Sequence, residues 1–133
     1  MPNFSDIILS MKSSNRKNFI IYNGRGTLTS AFSGPFLNLK ELLEDSWDET
    51  YSTFIMPGGR DRPYDRDLRG AGNAKIRKFV ENGGTYFGIC AGAYYGCSQV
   101  EFNKGFPLEV CEERELSFFD GKGVGPAYGK GTF

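Results

Sequence analysis

Histidine is missing from all 133 residues. No Cys-His catalytic pair can therefore be assembled within this chain, although cysteine hydrolases ordinarily use histidine as general base. Cysteine is sparse as well. Cys90, Cys97 and Cys111 are an odd number with no CxxC spacing, which supports neither a disulfide framework nor a zinc site. A reducing cytoplasm is the expected compartment, and neither a metal nor a cofactor is expected. Net charge is also lacking, since 16 basic residues balance 16 acidic ones. That leaves no electrostatic case for nucleic acid or an anionic membrane surface, and a small neutral or zwitterionic ligand is the better expectation. Long apolar runs are absent too. The stretch Met1 to Lys17 has no signal-peptide core, and Ile7-Ile8-Leu9 is too short to span a bilayer. Residues 1–18 are read as a leader or short helix, and 19–133 as one domain, because this length leaves no room for two.

What the chain does contain is glycine, 18 residues against an average of roughly 7%, placed after short apolar runs. Phe19-Ile20-Ile21-Tyr22 predicts a buried strand, stopped by Asn23-Gly24-Arg25-Gly26. Leu37, Leu39, Leu42 and Leu43, with acidic residues between them, predict a short helix. Thr53-Phe54-Ile55-Met56 predicts a second strand, ended by Pro57-Gly58-Gly59. From Asn73 to Asn82 the apolar stripe Ile76, Phe79 and Val80 predicts a helix stopped by Gly83-Gly84. Alternating strands and amphipathic helices argue for an α/β domain with a mainly parallel sheet, in which sites gather at the carboxyl ends of strands. The glycine loops after Tyr22, Met56 and Phe87 are then expected to converge on one rim. A Rossmann dinucleotide site is disfavoured, because Gly24-Arg25-Gly26 lacks the third glycine and no helix opens directly on it.

The third loop is the most telling. Thr85-Tyr86-Phe87-Gly88-Ile89-Cys90-Ala91-Gly92-Ala93-Tyr94 is an apolar run ending in a cysteine with glycine two places to either side. It reads as a nucleophile elbow, in which a strand turns sharply into a helix and the corner residue is strained. Such a corner aims the first free amides of the helix at the sulfur, favouring thiolate and offering donors to an oxyanion.

Met56-Pro57-Gly58-Gly59-Arg60-Asp61-Arg62-Pro63-Tyr64, the run from Glu81 to Tyr95, Glu115-Leu116-Ser117-Phe118-Phe119 and Gly125-Pro126-Ala127-Tyr128 together resemble the N-terminal domain of biotin-protein ligases. That domain belongs to the class I glutamine amidotransferase-like superfamily, and the resemblance runs from about Phe19 onward. It implies a flavodoxin-like three-layer sandwich. Cys90 would be the nucleophile, and Gly58, Gly59 and the amide of Ala91 would form the oxyanion hole. The chemistry implied is attack on a carboxamide or similar carbonyl carbon. Two departures stand out. The superfamily's enzymes place a histidine on a late strand, whereas this sequence stops at Gly129-Lys130-Gly131-Thr132-Phe133, which reads as the middle of the domain. The interval from Gly26 to Thr53 is also short, so one strand of the usual sheet is expected to be missing.

The remaining candidates each carry two readings. Arg60, Asp61 and Tyr64 are substrate contacts at the rim, or part of a solvated loop in which Arg60, Arg62, Asp65, Arg66, Asp67 and Arg69 neutralise one another. Glu101 lies near the pocket or faces solvent, and Tyr94 lines the pocket or packs the core. Cys97 and Cys111 are read as structural. Two functional classes compete: a cysteine-dependent amidotransferase or hydrolase drawing its base from elsewhere, and a noncatalytic ligand-binding or regulatory domain that keeps the pocket. A second copy of the chain is a candidate partner, because a truncated sheet leaves an edge or an apolar face to cover.

Overall fold

The structure is a computed structural model and describes residues 16–127. The segment expected to be a leader or short helix lies almost wholly outside that range. Within it, β1 (Lys17–Tyr22), β3 (Tyr51–Met56) and β4 (Thr85–Gly88) are the three apolar runs. They pair in parallel, with β3 between β1 and β4. A two-residue strand, β2 (Phe36–Leu37), completes a parallel sheet of order β2-β1-β3-β4. The short interval therefore does hold a strand, reduced to two residues. It is followed by two helices, α1 (Leu39–Glu44) and α2 (Trp47–Thr50). Asn38 starts α1 with a capping box: its side chain accepts from the Glu41 amide, and the Glu41 carboxylate accepts from the Asn38 amide.

Register determines which side chains face the core. Ile20, Phe54 and Tyr86 align across the strands, and so do Ile21, Ile55 and Phe87. Because strand side chains alternate, the first row and its neighbours Tyr22 and Met56 share one face. That face joins a single buried cluster with Leu42, Trp47, Leu68, Ile76 and Phe79, drawn from helices α1, α2, α3 (Asp61–Leu68) and α4 (Ala71–Glu81). The elbow helix α5 (Ala91–Tyr95) adds Ala91 and Tyr95. The opposite face carries the aligned row Phe36, Ile21, Ile55 and Phe87, whose ends Phe36 and Phe87 are 38% and 54% exposed.

Helix α3 corrects the reading of Arg60 to Arg69 as a solvated loop. Asp61, Tyr64, Asp65 and Leu68 occupy its buried side while Arg62, Arg66 and Arg69 remain exposed. The charges mask an amphipathic helix, because half of the buried positions hold aspartates, Asp65 paired with Arg69 one turn on and Asp61 with Arg114 far along the chain. Beyond α5, β5 (Cys97–Phe102) pairs antiparallel with β6 (Val110–Glu113) and parallel with β7 (Phe119–Gly125). This small mixed sheet was not foreseen from sequence. The fold is thus α/β, a four-strand parallel sheet plus a three-strand mixed one. No helix among the described residues is long and apolar enough to cross a membrane.

Candidate functional site

Three glycine loops meet at the carboxyl ends of β1, β3 and β4. The Leu28 amide donates to the Gly58 carbonyl at 2.9 Å, and the Arg60 amide donates to the Gly26 carbonyl at 2.9 Å, so the first and second loops are stitched backbone to backbone. Gly59 lies between these bonds at φ +133, and a Cβ there would overlap the Gly26 carbonyl oxygen. No other residue type fits. β1 and β3 are also where the strand order reverses, the place where parallel sheets leave a crevice for ligands.

The third loop contributes the cysteine. Cys90 sits between β4 and α5 at φ 51 and ψ −114, a positive φ that costs a non-glycine residue roughly 1–3 kcal/mol. The corner is locked on both sides. The Ile89 amide donates to the Met56 carbonyl at 3.0 Å, and the Ala93 and Tyr94 amides donate to the Cys90 carbonyl at 2.9 and 3.1 Å. Gly92 presses so closely on the Met56 carbonyl that a Cβ would collide with it. Tyr86 donates its hydroxyl to the Gly92 carbonyl at 2.6 Å, pinning α5 to the strand that precedes it. Burial drives that phenol well above its ordinary value, so it stays a donor.

Cys90 is exposed, and its Cβ would lie 3.4 Å from a Cβ built on Gly58. The Gly58-Gly59 loop and the cysteine are therefore direct neighbours. The loop is held from beneath by Tyr64, whose single hydroxyl proton is shared between the Pro57 and Gly58 carbonyls at 2.9 and 2.8 Å. In front of Cys90 opens a cavity of about 400 Å³. Gly59, Arg60, Asp61, Arg62, Cys90, Ala91 and Tyr94 form the near wall, and Val100, Phe102 and Val110 of the second sheet, with Leu108 from the loop between β5 and β6, form the far wall. Tyr94 stands edge-on to Phe102, with ring centroids 5.4 Å apart. Its phenol is raised by burial, with Cys90 and Cys97 adding to the effect.

Not every expected residue reaches the cavity. Tyr64 is fully buried and acts on the loop, not on the cavity. Glu101 is turned away, since it alternates with the wall residues Val100 and Phe102 along β5. It pairs with Lys104 and Lys122 at 3.5 and 3.9 Å. Asp61 is on the wall but committed: Arg114 donates to it through Nε at 3.0 and 3.2 Å and through Nη2. Arg114 also meets Glu112 at 2.9 Å and Asp65 at 3.9 Å, with its own side chain fully buried. Burial lowers the Arg114 guanidinium, but its bonds to Asp61 and Glu112 outweigh that and hold it above its ordinary value. Nothing in the local sequence around Arg114 marked it, because Asp61, the partner that it meets through two nitrogens, lies 53 residues away.

The other thiols differ from Cys90. Cys97 is half-buried, donates to the Ala93 carbonyl at 3.6 Å and is pushed up by burial. Cys111 is exposed on β6, not packed inside as its structural reading implied, and its Sγ lies 3.5 Å from the Glu109 carboxylate.

A family model described as "Biotin-protein ligase, N terminal" matches residues 12–133. An uncharacterized protein of Chlamydia muridarum is 45% identical over 96 residues, covering 72% of this chain and 36% of the relative. A biotin--protein ligase of Schizosaccharomyces pombe is 32% identical over 127 residues, covering 84% of this chain and 20% of the relative. The chain thus spans roughly a third and a fifth of the length of these two relatives. No solved structure matches. With the family model matched from residue 12 to residue 133, the chain belongs to the biotin-protein ligase N-terminal family.

Proposed function

We propose that this chain is a class I glutamine amidotransferase-like domain whose Cys90 pocket binds a small carbonyl-bearing ligand, and that amide turnover requires a base these residues do not supply. The observation that carries this reading is Cys90 itself: a strained, exposed thiol at a strand-to-helix corner, touching the Gly58-Gly59 loop and opening on a cavity. The parallel order β2-β1-β3-β4 supports a flavodoxin-like, three-layer relationship, since that order begins such sheets. In this reading Cys90 is the nucleophile. The Gly59 and Ala91 amides, with Gly58 shaping the loop, receive the oxyanion, because Arg60's amide is occupied by Gly26 and the first amides of a helix lack intrahelical partners. Arg60 and Tyr94 contact the ligand, while Asp61 and Tyr64 position the wall.

The noncatalytic alternative has a specific observation behind it. The only carboxylate among the described wall residues, Asp61, is held by Arg114, and no histidine exists in the 133 residues. A positioned base commonly contributes about 10² to 10⁴ in rate. This chain alone is therefore expected to release only trace ammonia from glutamine and simple amides, measured against Cys90→Ser as the blank. Robust turnover lost in that variant would overturn the noncatalytic reading and require a base outside those named here.

A further inference from the structure

We infer that the Cys90 pocket selects an apolar acyl group and not one that carries an α-ammonium. The inference rests on the reading of Cys90 as a nucleophile-type residue and goes on to the chemistry of its ligand. The far wall is built from Val100 and Phe102, alternate residues of β5, from Val110, which pairs with Phe102 across β6, and from Leu108 in the connection between these strands. No side chain there can hydrogen-bond an ammonium or a carboxylate. On the near wall the one carboxylate, Asp61, is bound to Arg114 and has no charge left to offer a ligand ammonium. The cations on that wall, Arg60 and Arg62, repel such a group outright; Arg62 is bonded to Glu112 at 3.1 Å, and Arg60 makes no ion pair among the described residues. An α-ammonium placed in this cavity would lose its water and find no free carboxylate to pair with, which is a costly burial. An aliphatic or aromatic acyl chain meets the opposite situation. A volume of about 400 Å³ lies in the range of small-ligand pockets, and it opens beside the thiol that would receive the acyl carbon.

The chemical step is acyl transfer to sulfur. Cys90 Sγ attacks the carbonyl carbon of an activated ester, the S–C bond forms, and the C–O bond breaks with its electron pair leaving on the alcohol. The thiol proton passes to buffer. Each buried methylene is worth about fourfold in binding, so four extra methylenes can raise acylation up to about 10²-fold.

The test uses p-nitrophenyl acetate and p-nitrophenyl hexanoate on the full chain, with acylation of each cysteine followed by peptide mass spectrometry. Exposed Cys111 serves as the internal reference for intrinsic ester reactivity. The expected result is a hexanoyl-to-acetyl rate ratio at Cys90 at least about tenfold above that at Cys111. Leu108→Glu, a change at a position 57% exposed, is expected to cut that ratio severalfold. Equal ratios at the two cysteines, with Cys90 still the faster site, overturn the apolar selection and leave the nucleophile reading standing. Acylation of Cys90 no faster than Cys111 by either ester overturns both.

Discussion

The two sheets are held by different forces. The parallel sheet closes over a dry cluster in which Trp47 meets Phe54 and Phe79 at centroid distances of 5.1 Å, and Tyr64 meets Tyr95 edge-on at 5.8 Å. The mixed sheet has few buried apolar side chains, chiefly Val100, and exposes Phe119 and Val124. Beside the ring contacts of Tyr94 with Phe102 and of Tyr86 with Phe118, polar contacts fasten it to the first layer: Arg114 to Asp61, Arg77 to the Glu115 and Leu116 carbonyls at 3.1 and 2.7 Å, and Glu115 to α4. Of the segment that joins β6 to β7 only Leu116 enters the main core. The cavity lies between the two sheets. Its cysteine wall is thus set by apolar packing, whereas its far wall depends on a buried charge pair as well as on ring contacts.

Substitutions can break this contrast at either end. The largest effect is expected from Phe54→Ala, which empties a fully buried position in contact with Trp47, Tyr22 and Tyr86; a loss of about 4 kcal/mol should appear as a lowered midpoint of urea unfolding for the whole chain. Next is Asp61→Ala. It leaves the Arg114 charge buried with only Glu112 and Asp65 nearby, at a cost of about 2–3 kcal/mol. Hydrogen exchange should then show the amides of β5 to β7 losing protection before those of β1 and β3. The double variant Asp61→Ala with Arg114→Met should recover part of the loss, since removing both charges is cheaper than stranding one. Uniform loss of protection across both sheets would contradict the contrast.

The smallest expected effect lies at Glu115, and it sharpens the comparison through pH. Glu115 accepts from the Asn73 side chain at 2.9 Å and from the Gly70 amide at 2.8 Å, capping α4 from a strand-side segment 45 residues away. The Asn73 bond first, and then the Gly70 amide, hold its carboxyl below the ordinary value. A group lowered on folding stabilises the protein above its unfolded pKa of about 4.3, and that stabilisation is lost as pH falls through the folded value. Glu115→Gln should therefore cost about 0.5 kcal/mol at pH 7, a small figure because the carboxylate is exposed. The difference from the unsubstituted chain should disappear as the pH is lowered below about 4. Paired unfolding curves at the two pH values would measure it.

The parts of this molecule readable from sequence are those governed by near neighbours. The apolar runs of β1, β3 and β4, the stripe of α4 and the glycines around Cys90 all obey local periodicity or local backbone rules. Helix α3 was missed because its stripe is half aspartate, and Asp61 is a core residue only in the presence of Arg114. Strand β2 was missed because two residues carry no period at all. Glu101 keeps two readings in the sequence for a related reason: closeness to the elbow does not say which face of β5 a side chain takes.

The sequence by itself determined the strained cysteine corner, the parallel sheet beneath it and the absence of histidine. These follow from residue identity and spacing over a few positions. Tertiary structure alone decided that Gly58 lies against Cys90, that Tyr64 and Tyr86 secure the two loops, and that a second sheet closes the cavity with an apolar wall. The physical reason is separation along the chain. Arg114 and Asp61 stand 53 residues apart, and a buried charge pair of that span leaves no periodic trace in either segment until the chain has folded to bring them together.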